Sequence, residues 1–220
     1  MTLTVSQSSP TEAHPHQLVV DLCIPVRGSS LPADHGYGLL SAMAHQVQFL
    51  HQNPEIGILT VAGVGDKQGK ILLMPQSHLR IRLPVEQVGR VYGLAGKSLR
   101  VGSHLIHLGI PEILTLKGCH TLKARIVTIK GYLEPEGFQR AAQRQLTDLG
   151  IPGEVEVLVD PMGIPLRKTL KIKRHTIVGF STVVRHLSEE DSIRLQQVGL
   201  GGRRRMGCGF FLPSKSGGIQ

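Results

Sequence analysis

Tryptophan is absent from this 220-residue chain, and aromatic residues of all kinds make up only 4% of it. A nucleic-acid surface built mainly from base-stacking rings is therefore not expected. Cysteine is almost as scarce, with Cys23, Cys119 and Cys208 lying far apart in the chain. Neither a disulfide framework nor a paired-cysteine zinc site is available, so a reducing cytoplasm is the compartment that fits.

Long apolar runs are missing too. No window approaches the roughly 18 consecutive apolar residues of a membrane helix, so we predict no membrane partner. The amino terminus lacks the basic start and apolar centre of a secretory signal, and residues 1–16 are predicted to be a mobile leader. The chain has no mononucleotide P-loop and no histidine cluster with zinc spacing. We predict neither a cofactor nor a metal site.

Positive charge and glycine are what the chain has in excess. It carries 25 lysines and arginines against 16 aspartates and glutamates, a formal charge of +9, and 26 glycines. Such a balance indicates a polyanionic partner. Ribosomal, other nucleic-acid and heparin-like partners all remain open at this level.

The hydrophobic pattern divides the chain into two similar halves. Each half alternates strands and helices in the order βαββαβ, and the pattern restarts after the segment GIPEILTLKG at 109–118. This order is typical of the ferredoxin-like unit. We therefore predict an α+β protein with tandem ferredoxin-like (RRM-like βαββαβ) domains over 17–110 and 111–220. Strands are predicted at 18–26, 56–64, 69–74, 78–84, 98–109, 121–131, 153–160, 165–175, 176–187 and 208–212, and helices at 37–53, 85–96, 136–150 and 189–198.

The segment GLGGRRRMGCGFF, residues 199–211, combines five glycines with three consecutive arginines. Glycine lets backbone N–H groups approach an anion, and arginine offers a planar fork to phosphate oxygens. The segment predicts a C-terminal glycine-rich loop that cradles phosphate; a flexible loop with solvated arginines is the alternative. Cys208 is interpreted as a small buried residue. The predicted RNA-binding residues here are Gly201, Gly202, Arg203, Arg204, Arg205, Gly207 and Gly209.

A second basic segment is RKTLKIKRH, residues 167–175. As one continuous strand it would direct Thr169, Lys171, Lys173 and His175 outward in a row about 6 to 7 Å apart, close to the spacing of phosphates along a single strand. An ordinary solvated strand face is the equal alternative. Four residues of this segment are predicted to bind RNA: Lys168, Lys171, Lys173 and Arg174.

The helix predicted over 37–53 carries two histidines. With the apolar stripe facing the core, His45 would project from the opposite side, whereas His51 would lie beside the stripe in the last turn. The negative end of the helix dipole favours the charged form of His51, which suits a proton donor; capping terminal carbonyls is the alternative. His35 is expected to order the turn before the helix, and Tyr37 to belong to the core.

Together, LPADHGYGLLSAM…FLHQ and GLGGRRRMGCGFF resemble the CRISPR-associated endoribonucleases that cut precursor CRISPR RNA within its repeats, and are most similar to the myxan-type branch of type I systems. The resemblance spans nearly the whole chain. It implies a tandem ferredoxin-like fold and metal-independent cleavage, in which a 2′-hydroxyl attacks the phosphate and leaves 2′,3′-cyclic phosphate and 5′-hydroxyl ends. The family's "LH" element carries over to Leu50-His51, which makes His51 the main catalytic candidate.

Some relatives add a tyrosine on the first helix and a lysine just after it. Within the helix interior we expect no tyrosine here, so His45, Arg27 or a C-terminal arginine is predicted as the supporting group. The expected partners are a CRISPR repeat stem-loop and the other subunits of a type I effector complex or of a transposon-associated effector. A subunit that holds the hairpin without cutting it, and a generic RNA-binding protein, are the alternatives.

Overall fold

The computed structural model describes residues 18–66 and 68–214; the predicted leader lies outside this part of the chain. The N-terminal half contains nine strands and three short α-helices among these residues. In chain order they are β1 (Val19–Arg27), β2 (Ser30–Pro32), α1 (Gly36–Gln46), α2 (Phe49–Gln52), β3 (Gly57–Leu59), β4 (Val64–Gly65), β5 (Lys70–Leu72), β6 (His78–Pro84), α3 (Val88–Val91), β7 (Ser98–Val101), β8 (His104–Leu108) and β9 (Glu112–Thr115). Single 3₁₀ turns at Val85–Gln87 and Tyr92–Leu94 flank α3.

The main sheet of this half has β1 at its centre. Its strands follow the order β3-β6-β1-β8-β7, and β9 pairs with β1 beside β8, all antiparallel. If β1, β3, β6 and β9 are numbered 1 to 4 along the chain, they lie side by side in the sheet in the order 2-3-1-4. This is the strand order of a ferredoxin-like unit. Since β9 pairs with β1, this sheet extends beyond the predicted boundary at residue 110. A small separate sheet joins β2, β5 and β4.

The C-terminal half repeats the topology. Its elements are β10 (Leu122–Val127), α4 (Pro135–Asp148), β11 (Glu154–Val157), β12 (Arg167–Ile172), β13 (His175–Arg185), α5 (Glu189–Val198), a 3₁₀ turn (Arg204–Met206) and β14 (Phe211–Pro213). The sheet order β11-β13-β10-β14 is again 2-3-1-4. The additional strand β12 pairs with the first half of β13 and forms a hairpin with it. The predicted tandem ferredoxin-like fold is confirmed.

The two helices of the second half begin and end close to the residues predicted from local sequence. The helix α4 begins with Pro135 and is followed by Gly150, whose φ of 65° is the left-handed conformation of a helix C-terminus. The hydroxyl of Ser188 accepts a hydrogen bond from the Asp191 N–H at 3.0 Å and caps α5 as predicted.

The helix predicted over 37–53 is broken, and this changes the site. The helix α1 ends at Gln46, Val47 has the non-helical dihedrals φ −136° and ψ 88°, and α2 adds one turn. The directions of the side chains on α2 therefore cannot be obtained by continuing the helical rotation of α1. The prediction that His45 and His51 occupy unrelated sides was wrong for this reason.

Two predicted strands are hairpins. The strand expected over 98–109 turns at Gly102, which has a φ of 61°, and becomes β7 and β8. The strand expected over 165–175 ends at Ile172, and Lys173 with Arg174 forms the two-residue turn to β13. Lys173 has a φ of 54°. The predicted outward row from Thr169 to His175 is therefore not formed, because His175 already lies on the returning strand.

Each sheet packs its helices over its own apolar core, and one buried arginine joins the two halves. Arg82 of β6 is 1% exposed and donates to both carboxylate oxygens of Asp21, at 2.7 and 2.9 Å. Its Nη1 also donates to the carbonyls of Gln196 and Phe211, at 2.8 and 2.9 Å. The guanidinium lies 4.1 Å from the centroid of the Phe210 ring. One side chain thus bonds the first sheet to α5 and β14 of the second.

Candidate functional site

The glycine-rich loop runs from the end of α5 to β14 and passes between the two halves. The N–H groups of its four predicted phosphate-binding glycines are bonded to protein acceptors, so these glycine amides do not form the predicted phosphate nest. The donors and acceptors are Gly201 to Gln145 Oε1 at 2.9 Å, Gly202 to the Thr128 carbonyl at 2.9 Å, Gly207 to the Arg204 carbonyl at 3.3 Å and Gly209 to the Ile126 carbonyl at 2.8 Å.

The glycines serve close packing of the backbone. Gly201 and Gly209 have φ values of 71° and 63°, and a Cβ on either would overlap a carbonyl oxygen, that of Thr128 or of Leu200. Any other residue there would be strained in its backbone and would also clash. These two glycines are therefore required by the close approach of the backbone, and the charged groups of the loop are its arginine side chains.

The three consecutive arginines occupy different surroundings. Arg204 donates from Nη2 to the Gln197 carbonyl at 2.5 Å, and its buried Nε has no partner among the described residues. Burial, and then the neighbouring Arg82, lower the pKa of Arg204 to about 10, against the raising effect of Glu55. Arg204 is thus a half-buried and largely desolvated cation. Arg203 is also half-buried but makes no side-chain hydrogen bond or ion pair within the part described.

Arg205 connects the loop to the catalytic candidate. Its Nη1 donates to the carbonyl of Leu50 at 3.1 Å and also to the carbonyl of His51. These carbonyls belong to α2, whose last groups have no helical partner. Arg205 therefore fixes the turn that carries His51 and brings a positive charge beside it.

A cleft of about 320 Å³ lies at this contact. Its wall includes both helical histidines, His45 at the end of α1 and His51 on α2, together with Arg205 of the loop. Both histidines are exposed to solvent. Three of the predicted site residues, from the two ends of the chain, thus meet around one space.

Tyr37 also lines the cleft, and the sequence analysis assigned it to the core. It is half-buried and occupies the second position of α1, which begins at Gly36. The family pattern of a tyrosine on the first helix was the available signal. The sequence alone does not point to Tyr37, because it is the first position of the helix predicted over 37–53 and the interior of that helix has no tyrosine.

Arg27 does not join this cleft. It is exposed at the end of β1, opposite His107 of β8, and lines a separate depression with Gly109. Of the predicted supporting groups, His45 and Arg205 remain beside His51.

The basic hairpin β12–β13 packs against the first half of the chain. Lys173 and Arg174 form its exposed tip, and Lys168 and Lys171 are exposed on opposite faces of β12. The backbone N–H of Lys171 donates to the Asp34 carboxylate at 2.5 Å, just before α1 begins. The predicted RNA-binding residues of this hairpin therefore lie on an element held to the histidine-bearing helix.

Two further residues behave as predicted from sequence. Burial raises the pKa of the Cys208 thiol to about 11, so this cysteine is not a thiolate at neutral pH. His35 is 3% exposed, and its Nδ1 lies 2.7 Å from the Pro32 carbonyl oxygen, to which it donates. Burial is the main cause that lowers the pKa of His35. Its Nε2 has no partner among residues 18–66 and 68–214.

No three His, Cys, Asp or Glu side chains within the described ranges are grouped so that they could hold a metal ion. Among the helices of the same ranges, none is both long and apolar enough to cross a membrane.

Comparisons with known proteins identify the family. The Cas6 Crispr family model matches residues 20–216. The CRISPR-associated endonuclease Cas6 of Myxococcus xanthus (strain DK1622) is 34% identical over 194 residues, covering 88% of this chain and 81% of the relative.

Solved structures share the fold at low identity. A protein described as a Cas6-related gene product from Pyrococcus furiosus superposes with a TM-score of 0.63 at 13% identity, over 90% of this chain and 99% of that one. A CRISPR-associated Cas6 protein gives a TM-score of 0.60 at 16% identity, again over 90% of this chain and 99% of that one. The resemblance seen in the sequence is confirmed: this chain belongs to the Cas6 family of CRISPR-associated endoribonucleases that process CRISPR RNA.

Proposed function

We propose that this protein cuts precursor CRISPR RNA within its repeats without a metal ion, through attack of a 2′-hydroxyl on the adjacent phosphate. The observation that carries the proposal is the cleft in which His51, His45, Tyr37 and Arg205 meet. These side chains are two imidazoles, a phenol and a guanidinium. They are the types of group that move protons and stabilise a negatively charged phosphorane.

The reaction balances with the groups at hand. The 2′-oxygen loses its proton and forms a bond to phosphorus, and the bond from phosphorus to the 5′-oxygen breaks. The leaving 5′-oxygen takes up a proton, which gives 2′,3′-cyclic phosphate and 5′-hydroxyl ends. Because the RNA supplies its own nucleophile, the protein needs one group to accept a proton, one to donate a proton and a cation beside the phosphate.

His51 is proposed as the principal proton-transfer group, because the family's "LH" element falls on it. His45 and Tyr37 line the same cleft and are the candidates for the second proton transfer. The guanidinium of Arg205 is engaged with the carbonyls of α2, so its direct effect is on the position of His51. Its positive charge lies close enough to favour an incoming phosphate.

The RNA is proposed to contact the hairpin β12–β13 and the outer side of the glycine-rich loop. The hairpin offers four exposed cations, Lys168, Lys171, Lys173 and Arg174, and the loop offers the half-buried Arg203. We propose further that residues 17–110 carry the chemistry, that residues 111–220 hold the repeat hairpin, and that the protein stays on its product as a subunit of a type I effector complex.

A cleavage assay with hairpin repeat RNA in EDTA tests the proposal. We expect a product that ends in a cyclic phosphate, and no cutting of RNA with a 2′-deoxy nucleotide at the cleavage site. The variant His51→Ala should cut about 10² to 10⁴ times more slowly, the usual contribution of general acid or base assistance, and should still bind the hairpin.

His186→Asn is the matched control. His186 is exposed on the second half, lies 3.7 Å from Glu154 and has a φ of 60°, a conformation that asparagine tolerates. It should cut at the wild-type rate. Intact RNA with tight binding would instead identify a subunit that only holds the hairpin, and wild-type cutting by His51→Ala would remove the catalytic assignment.

A further inference from the structure

A second and larger depression adjoins the cleft and has no part in the chemistry just described. Its volume is about 700 Å³, and it lies between α1, α2 and α3. Gln48, in the break between α1 and α2, lines both this depression and the cleft that contains His51. An RNA strand that leaves the cleft on this side therefore enters the depression directly.

The polar groups of this depression are chiefly side-chain amides. Gln46, Gln48 and Gln52 line it, all three are exposed, and none makes a side-chain hydrogen bond within the described part of the chain. A fourth amide, that of Asn53, donates to the Phe49 carbonyl at 2.8 Å and so holds the end of α2. Among the residues that the structure describes, no aspartate or glutamate lines the depression.

Amides suit bases better than phosphates. Each glutamine side chain carries both a donor and an acceptor, and the edges of nucleobases also present both kinds of group. Phosphate oxygens only accept. Three amides free of internal partners therefore match the hydrogen-bonding edges of unpaired bases.

A stacking platform lies in the same depression. The guanidinium of Arg90 lies 4.7 Å from the centroid of the Phe49 ring. The ring is half-buried and Arg90 is exposed, so solvent can reach the guanidinium above the ring. Bases of single-stranded RNA stack on such guanidinium planes.

Two glycines keep the space open although the fold does not require them. A Cβ on Gly89 of α3, or on Gly93 in the turn after it, would meet no atom within 4 Å from other described parts of the chain, its sequence neighbours and nearby helix backbone aside, and neither glycine has a positive φ. Glycine within a helix costs about 1 kcal/mol relative to alanine. Glycine is therefore not needed at these two positions to avoid a clash. What the missing side chains provide is room for a ligand.

We propose, building on the function proposed above, that this depression binds the bases of unpaired nucleotides that flank the cleavage site. Gln46, Gln48 and Gln52 contact the base edges, and one base stacks on Arg90. The depression thereby distinguishes a repeat with the correct flanking bases from any other hairpin of the same shape.

RNA substrates whose flanking nucleotides lack bases can show how much the contacts with those bases contribute to cutting. Two hairpin RNAs are compared, one with natural flanking nucleotides and one of equal length whose flanking nucleotides lack bases but keep their phosphates. The wild-type protein should cut the natural RNA at least about tenfold faster in kcat/KM, an effect within the range of stacking a single base. Arg90→Lys, which keeps the charge and loses the planar face, should reduce this preference severalfold and leave cutting of the abasic RNA unchanged.

Gly93→Leu should fill the depression and have the same selective effect. Gly65→Leu is its control, because Gly65 also has open space at its Cβ position and lies on the small sheet away from the site. Melting temperatures report whether each variant folds. Equal cutting of the two RNAs by the wild-type protein, or a parallel loss on both in Arg90→Lys and Gly93→Leu, overturns the inference.

The two proposals fail in distinguishable ways. Wild-type cutting that depends on His51 but ignores flanking bases would leave the proposed function intact and remove this subsite. Absence of any cutting by the wild-type protein would overturn both proposals.

Discussion

Arg203, Arg204 and Arg205 are adjacent in the chain but perform different tasks. Arg205 bonds to the carbonyls of the turn that carries His51, and the half-buried Arg204 bonds to the Gln197 carbonyl of α5. Only Arg203 keeps a side chain without a hydrogen bond or ion pair in the described residues. Since a loop of glycine and arginine is usually interpreted as one phosphate-binding unit, this division has direct consequences for mutagenesis.

Arg204→Ala should lower stability more than it weakens RNA binding. The change removes the bond to the Gln197 carbonyl and opens a void between the two halves, an expected loss of about 1 to 3 kcal/mol in the free energy of unfolding. Urea unfolding measures it. Arg203→Ala should keep the wild-type stability, weaken binding of repeat RNA and reduce the slope of log affinity against log salt by about one. The reverse pattern would contradict this assignment.

The buried His35 should make the protein sensitive to acid. Because burial lowers its pKa in the folded state, the unfolded chain binds a proton first as the pH falls, and protonation favours unfolding. Below about pH 6.5, the ordinary pKa of histidine, the free energy of unfolding should fall by up to about 1.4 kcal/mol per pH unit from this group. His35→Gln should remove that part of the slope in urea unfolding between pH 7 and 5. Parallel profiles for the two proteins would exclude His35 as the cause.

A hydrogen bond to Asp34, outside the hairpin, helps to hold the hairpin β12–β13 in position. In a two-residue hairpin Ile172 and His175 form the hydrogen-bonded pair, so the N–H of Lys171 points away from β13. The carboxylate of Asp34 accepts this outward N–H. Beneath the hairpin, Leu170 packs with Ile126 and Cys208, which links it to the glycine-rich loop.

Asp34→Ala should loosen this hairpin without unfolding the protein. Loss of one exposed hydrogen bond to a charged acceptor should weaken RNA binding about threefold to tenfold, and Asp34→Asn, which keeps an acceptor, should fall between. Hydrogen exchange of the peptide that contains Lys171 is the direct measurement and should become faster in Asp34→Ala. Unchanged exchange would show that the hairpin is held in place by its apolar contacts alone.

The molecule as a whole is two repeated sheets joined through the hydrogen bonds of one buried arginine. Arg82 contacts the Asp21 carboxylate and two carbonyls of the other half, and all of its partners are removed from water. A buried pair of this kind need not increase stability over an apolar core, but removal of one partner leaves an uncompensated charge. The orientation of the two halves, and with it the cleft at His51, therefore depends on this contact.

Arg82→Ala should reduce the free energy of unfolding by about 3 to 5 kcal/mol, because Asp21 would remain buried with only the more distant Arg80 beside it. Arg80→Ala is the matched control. Arg80 lies 3.6 Å from the same carboxylate but its side chain is 25% exposed, and its loss should cost about 1 kcal/mol or less. Denaturant unfolding of the two variants decides the point, and equal losses would show that burial does not distinguish these arginines.

The order of elements, the ends of α4 and α5 and the family could be predicted from the amino-acid sequence. Capping at Ser188 and the left-handed Gly150 involve groups at most a few residues apart, so local sequence was sufficient to locate them. The βαββαβ order follows from hydrophobic periodicity in the same way. His51 was found through the family's "LH" element.

Which residues line the cleft at His51 could be known only from the tertiary structure. Tyr37 and His45 join His51 because the chain leaves the helix at Val47, and Arg205 reaches them from more than 150 positions away in the chain. The glycines of the loop pack the backbone instead of holding phosphate through their N–H groups. Those N–H groups donate to acceptors on other elements, such as the carbonyls of Thr128 and Ile126. Hydrogen bonds and packing between distant segments depend on how whole sheets meet, and no pattern of neighbouring residues encodes that arrangement.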